Sequence, residues 1–171
     1  MLCLRQTYAK PAMPRADGSI LRQYGALPFL ITEEGTIRIL LVTTRGRRDW
    51  IIPKGWPIRN LTAAATAARE AYEEAGLIGH VVGDEPLGCF RHAKERNSRV
   101  TICEVDVFLF AVERQLRKWP EKSQRSTRWF APDEASKAVA PGGLADILRM
   151  VARQVLVGSL AWRMSQMQLG A

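Results

Sequence analysis

Between Trp50 and Leu77 the chain reads WIIPKGWPIRNLTAAATAAREAYEEAGL, and three glutamates, Glu70, Glu73 and Glu74, fall within five residues of a run free of glycine and proline. An α-helix turns about 100° per residue, so positions i, i+3 and i+4 share one face. Three carboxylates side by side repel one another unless a cation sits among them. The segment therefore calls for a helix with one acidic face and a positive partner for it. Ala64, Ala67, Ala68, Ala71 and Ala75 give the same helix a small-residue side that can lie close against a sheet. Asn60 or Thr62 serves as N-cap and Gly76 as C-cap, which bounds the helix at 61–75. Just upstream, the apolar run Trp50 to Ile52 breaks at Pro53, with Lys54 and Gly55 at the turn. A lysine beside a glycine, ahead of an acidic helix, points to a phosphate and a divalent metal brought together.

The other segments supply a sheet for this helix. Arg22 to Ile31 and Ile37 to Thr44 are rich in apolar and β-branched residues around a turn at Glu33, Glu34 and Gly35, which predicts a hairpin. Pro28 cannot donate to a ladder, and this places the first strand at an edge or a bulge. His80 to Val82, Leu87 to His92 and Val100 to Val112 are expected strands, with a charged turn from Ala93 to Arg99. A polar loop from Trp119 to Arg128 leads to a short strand at Trp129 and Phe130. Pro132, Asp133 and Glu134 open a helix. Beyond Gly143, Leu144, Ile147, Leu148, Val151, Val155 and Leu156 recur at helical spacing as core material. Residues 1–19, with two prolines and a glycine among polar side chains, are expected to form an irregular arm, and residues 160–171 a tail. At 171 residues, with 47% of them hydrophobic, a single domain with its own core is the expectation.

Charge and cysteine content narrow the function classes. Lysine and arginine number 25 against 17 acids, a net charge of +8 that favours an anionic partner. Charge alone does not separate nucleotide, inositol phosphate, RNA and membrane surface. No apolar run reaches the roughly 20 residues of a membrane span, and a cytoplasmic protein with no membrane partner is expected. Cys3, Cys89 and Cys103 lack metal-ligand or CxxC spacing, so Cys89 and Cys103 are expected as reduced strand residues. Two basic clusters, Arg45, Arg47 and Arg48 ahead of Lys54, and Arg91, Lys94, Arg96 and Arg99 later, are candidate anion sites. Carboxylate oxygens suit Mg²⁺ or Mn²⁺, which commonly pairs one or two carboxylates with the oxygens of a substrate phosphate.

Gly55, followed after thirteen residues by Arg69, Glu70, Ala71, Tyr72, Glu73, Glu74, Ala75, Gly76 and Leu77, resembles the Nudix box. With each invariant letter at about 6% usage, six fixed matches arise by chance at roughly one start in ten million. The resemblance implies an α+β fold, a mixed β-sheet sandwiched between α-helices, and a hydrolase acting on a pyrophosphate bond. It implies Glu70, Glu73 and Glu74 as ligands of Mg²⁺ or Mn²⁺ and as the catalytic carboxylates, with Glu74 or Glu70 doubling as base. One departure stands out: the first glutamate of the box falls on Leu61. In the family that residue often pairs with the box arginine, here Arg69, which leaves Glu73 as an alternative partner. Glu121 and Glu104 are candidates for a further acid from outside the box.

Trp50, Pro53, Lys54 and Gly55, with Arg128, Trp129 and Phe130 later, look more like the branch that hydrolyses diphosphoinositol and diadenosine polyphosphates than the branch that sanitises nucleoside triphosphates. Such a ligand needs many cations, and Arg22, Arg45, Arg47, Arg48, Lys54 and Arg91 are the candidates, with Gly55 at their centre. Two alternatives accompany this reading: removal of pyrophosphate from an RNA 5′ end, and a Nudix-like binding module without turnover. The RNA reading calls for aromatic platforms, and none lies between Arg45 and Arg48 or between Arg91 and Arg99. Oligomeric state is open.

Overall fold

The structure is a computed structural model describing residues 20–96, 99–140 and 142–156, with only the backbone described at 94–96, 99, 100 and 156. In chain order the elements are β1 (Leu21–Ile31), β2 (Ile37–Thr43), β3 (Trp50–Ile51), β4 (Lys54–Gly55), α1 (Ala63–Ala75), β5 (Leu77–Val81), β6 (Gly88–Arg96), β7 (Arg99–Gln115), β8 (Thr127–Phe130), α2 (Pro132–Ala138) and α3 (Gly143–Leu156). The arm, the tail and Cys3 lie outside the described residues.

The eight strands form one mixed sheet in which β1 and β7 run parallel at its centre, Leu21 beside Cys103 and Phe29 beside Ala111. The long β7 takes β6 along its first half and β5 along its second, both antiparallel. The predicted hairpin is present, with Phe29 opposite Ile39 and Ile31 opposite Ile37. β2 also carries β3 and β8.

Two expectations are corrected here. Pro28 does not mark an edge strand, since β1 is central. The N–H of Ala26 donates to Pro53 O, and alternation along the strand points position 28 to the same side. On that side β1 pairs β4 at 24–25 and β2 only from 29, so a missing donor at 28 falls in the gap between two partners. The charged stretch after His92 is not a turn from Ala93 onward. β6 continues to Arg96, with Ala93 opposite Ile102 and Arg96 opposite Arg99. A long partner strand supplies a ladder, and that overrides the low strand preference of Lys, Glu and Arg.

Helix α1 covers one face of the sheet. Thr62 is its N-cap, its side chain accepting from Ala65 N, and Gly76 closes it in the left-handed region at φ 68°, which turns the chain straight into β5. Ala67, Ala71 and Ala75 are fully buried and meet Ala26, Leu40, Val42, Phe108 and Phe110. Small side chains at i, i+4 and i+8 let the helix axis sit low on the sheet. A larger residue there costs about 1–3 kcal/mol of overpacking. The opposite face carries α2 and α3, whose Ala135, Val139, Leu144, Ile147, Leu148 and Val151 pack against Leu27, Ile39, Leu41, Val105 and Val107. The result is the expected sandwich of a mixed sheet between helices. Cys89 and Cys103 are strand residues, as expected, in the adjacent β6 and β7.

Candidate active site

The Ala-rich side of α1 is held against the sheet, so its glutamate face turns towards β4 and the loop after β7. Gly55 lies directly beneath that face, and a Cβ at this position would overlap the carboxylate of Glu70. Glu74 is 5% exposed; one of its oxygens accepts from the backbone N of Lys54 at 3.3 Å and the other from Arg125 Nη2. Glu73 accepts from Arg69 Nε at 2.5 Å through its side chain, while its carbonyl accepts from Glu121 N at 3.1 Å.

The loop from 116 to 126 completes the site. Leu116 N donates to Gly76 O, and the indole of Trp119 rests where a side chain at Gly76 would stand, so the loop is docked on the C-terminal end of α1. That docking brings in Arg125, which is almost fully buried. Its Nε donates to Glu121 at 2.6 Å, its Nη1 to Thr43 O at 2.9 Å and its Nη2 to Glu74. Arg45 reaches the other oxygen of Glu121. Sequence reasoning passed over Arg125 entirely. No local signal marks it, because the contact with Glu74 spans 51 positions of chain.

Glu70, Glu73, Glu74 and Glu121 thus lie beside three arginines, Arg45, Arg69 and Arg125. Burial is the first cause holding the Glu70 carboxyl above the usual carboxylate range, followed by the charges of Glu73 and Glu121, against the pull of Lys54 and Arg125. Glu74 is pushed up to about 7, again chiefly by burial and also by Glu70, with Arg125 and Lys54 opposing. Here desolvation outweighs a direct ion pair. Hard oxygen donors that raise one another's proton affinity fit a divalent cation. Among the described residues, the three acids and thiols whose ligand atoms all lie within 4.8 Å are Cys89, Glu104 and Asp106, not the glutamates of α1. The cause is visible in the pairing: Glu73 is turned to Arg69 and Glu74 to Arg125, and both would exchange an arginine for an ion.

These glutamates floor a cleft of about 1370 Å³. Of the expected anion-binding residues, Arg45, Arg47, Lys54, Gly55 and Arg91 line it. Arg22 and Arg48 do not. Arg22 extends along the sheet to Glu104 and Asp106, each at 3.3 Å, and Arg48, at φ 63°, donates to Gln124 O and Ser126 Oγ, tying its loop to the start of β8. Their strand and loop positions send them to nearby partners instead. Of the two further acids considered, Glu121 lines the cleft, whereas Glu104 is taken by Arg22 and Arg91. Lys94, Arg96 and Arg99 carry no described side chains. Also in the cleft wall are Gln23, buried and bonded to His92 Nε2 at 3.0 Å, and Trp56, neither of which the sequence reading singled out for a site. Leu61 lies outside the helix, 44% exposed.

Comparison with known proteins bears on the family and the fold. The family model of the NUDIX domain matches residues 21–151. The chain is 28% identical over 161 residues to Nudix hydrolase 13, mitochondrial, of Arabidopsis thaliana, covering 82% of this chain and 79% of that protein. It is 31% identical over 104 residues to diphosphoinositol polyphosphate phosphohydrolase 3-alpha of Mus musculus, 59% of each chain. Among solved structures, the C. elegans Ap4A hydrolase superposes with a TM-score of 0.58 at 16% identity, over 80% of this chain and 99% of that one, a likeness of fold.

Proposed function

The chain belongs to the Nudix family and is a hydrolase acting on pyrophosphate bonds; we propose that its substrate is a highly phosphorylated small molecule, a diphosphoinositol or a diadenosine polyphosphate. One observation carries this reading: Arg45, Arg47, Lys54 and Arg91 ring a cleft whose floor is Glu70, Glu73 and Glu74. Cations around an acidic floor suit a ligand whose own anions need both direct partners and a bridging metal. The similarity to the mouse diphosphoinositol polyphosphate phosphohydrolase supports the same substrate class.

Nudix enzymes need a divalent metal, and we take Mg²⁺ or Mn²⁺ as the ion here, with Glu70, Glu73 and Glu74 as the residues that would hold it and Glu121 facing them. When bound, the ion supplies neutralisation of phosphate charge and acidifies a water. The chain's own groups do the rest. Lys54, Arg45 and Arg47 bind and orient the phosphates by charge-assisted hydrogen bonds. Glu70 or Glu74, whichever keeps an oxygen free, takes the proton from the attacking water, a step that typically contributes 10²–10⁴-fold. Arg125 keeps Glu74 and Glu121 apart from bulk water and in register with the cleft.

The test is a hydrolysis panel of diadenosine polyphosphates, diphosphoinositol phosphates, nucleoside diphosphate sugars and 5′-triphosphorylated RNA with Mg²⁺ or Mn²⁺. Turnover of the first two classes, abolished in a folded Glu73→Gln variant, is the expected result. Full activity in that variant sinks the role of Glu73, and preferential cleavage of the RNA replaces the substrate.

A further inference from the structure

Cys89, Glu104 and Asp106 present one sulfur and two carboxylate oxygens within 4.8 Å of one another, and none of the three lines the catalytic cleft. Strand register makes the set, not spacing along the chain. Cys89 stands opposite Asp106 across β6 and β7, Arg91 opposite Glu104, and Arg22 beside Glu104 across β1. Side chains two residues apart share a face, so these project on the side of the sheet where Tyr24 and Phe108 meet the alanines of α1. Sulfur beside two oxygens is a borderline donor set, and Zn²⁺ takes Cys, Asp and Glu at about 2.0–2.3 Å. On a tetrahedral ion such ligands stand roughly 3.5 Å apart, so about an ångström of side-chain movement closes the set, with water at the fourth corner. The glutamates of α1 offer oxygen alone and suit a harder ion.

The two arginines on these acids are held unequally. Arg91 meets Glu104 Oε2 at 2.8 Å, whereas the half-exposed Arg22 stands 3.3 Å from both Glu104 Oε1 and Asp106 Oδ2, long for a charge-assisted bond. Glu104 Oε1 and Asp106 Oδ2 are therefore the oxygens most readily given up to a cation. Arg91 stays on Glu104 Oε2 and fixes its orientation, as outer partners do for metal ligands. The charges then balance: a divalent ion and Arg91 face a thiolate and two carboxylates, and Arg22 turns out to solvent. We propose that Cys89, Glu104 and Asp106 form a second cation site, for Zn²⁺ or an ion of like character, that ties β6 to β7 outside the catalytic cleft. Binding forms the metal–sulfur bond, breaks the S–H bond and sends the proton to solvent; no electron is transferred. The proposal stands apart from the substrate reading, because none of these ligands takes part in the hydrolytic chemistry.

Cobalt titration of the full chain, with excess Mg²⁺ to occupy the glutamates of α1, tests this through the thiolate-to-cobalt charge-transfer band in the near ultraviolet. A band that saturates at one cobalt per chain and is displaced by zinc is expected. It should be lost in Cys89→Ser and kept in Cys3→Ser and Glu73→Gln. Asp106→Asn should weaken cobalt at least about tenfold, the scale on which even outer partners of a metal count. Arg22→Ala should tighten it by about two- to threefold at low salt, a gain that misfolding does not produce. Thermal melting checks that each variant is folded. No band, a band that survives Cys89→Ser or vanishes in Cys3→Ser, one that zinc leaves intact, or one cobalt to two chains overturns the proposal. So does half-saturation above about 1 mM, unchanged affinity in Asp106→Asn, or weaker binding in Arg22→Ala.

Discussion

The Nε–H of Arg69 meets Oε1 of Glu73 at 2.5 Å, one turn apart on α1, so one glutamate of the acidic face is occupied by the arginine of the same box. The reason lies eight residues upstream, where the box has a leucine instead of its first glutamate. Leu61 sits exposed ahead of the helix and offers Arg69 no charge. Because the Arg69–Glu73 pair is itself largely exposed, it is weak and screened by salt, and an incoming ion displaces it readily.

Leu61→Glu is therefore expected to draw Arg69 from Glu73 and tighten Mn²⁺ binding by about two- to threefold at low salt. The gain should shrink at about 0.5 M salt. Leu61→Gln, which adds no charge, serves as control; calorimetric titration of Mn²⁺ into the three proteins decides, and an equal gain in both variants rules the explanation out.

Gly55 and Gly79 make a contrasting pair. A Cβ at 55 overlaps only the mobile end of Glu70, whereas a Cβ at 79 overlaps the carbonyl oxygen of Ala111 in the neighbouring strand. Gly55→Ala should thus lower turnover at least about tenfold while changing stability little, since the side chain yields and carries a catalytic carboxylate out of place. Gly79→Ala should cost about 1–3 kcal/mol of stability and leave the chemistry of the folded fraction intact. Urea unfolding with kcat on each variant separates the two.

Glu74 supplies the pH dependence. Its folded-state value of about 7 lies above the ordinary 4.5, so the fold binds this proton more tightly than the unfolded chain does. The stability it contributes is complete below the unfolded value and is lost as pH rises towards 7. A metal ion competes with the same proton. The rise in Tm produced by Mg²⁺ is expected to be larger at pH 8 than at pH 6, by differential scanning fluorimetry; a larger rise at pH 6 contradicts the assignment.

Arg125→Met removes one side of a pair that is buried on both sides, Arg125 at 9% and Glu74 at 6% side-chain exposure. Leaving a buried carboxylate alone costs roughly 3–5 kcal/mol. The cost should be smaller at pH 6, where Glu74 takes up a proton, than at pH 8, which unfolding curves at the two values will reveal. Arg125→Lys should recover part of the loss, because a lysine keeps the charge but reaches fewer of the three acceptors.

The local pattern was enough for much of this molecule. Helix α1, its Thr62 and Gly76 caps, its alanine side and its glutamate face are all consequences of a 3.6-residue repeat acting on neighbouring positions. The β1–β2 hairpin and the stripe of α3 follow from equally short-range rules. Where such rules failed, a distant segment had intervened. Pro28 reads as an edge residue until β7 and the gap between β4 and β2 are known, and Lys94 to Arg96 read as a turn until β7 offers them a ladder.

The sequence by itself determined that a helix with a glutamate face would stand beside a lysine and a glycine, because those residues are separated by fewer than 25 positions and share one recognisable pattern. Only the tertiary structure decided which other charges join them. Arg125 and Glu121 enter because Trp119 docks on Gly76; Arg22 and Arg48 leave because nearer acceptors capture them; Trp56 turns into a wall of the cleft that Arg47 also lines. The physical reason is range. Helix periodicity and capping act over a few residues, whereas desolvated ion pairs form between whichever groups the sheet brings together, and nothing in the spacing along the chain records that meeting.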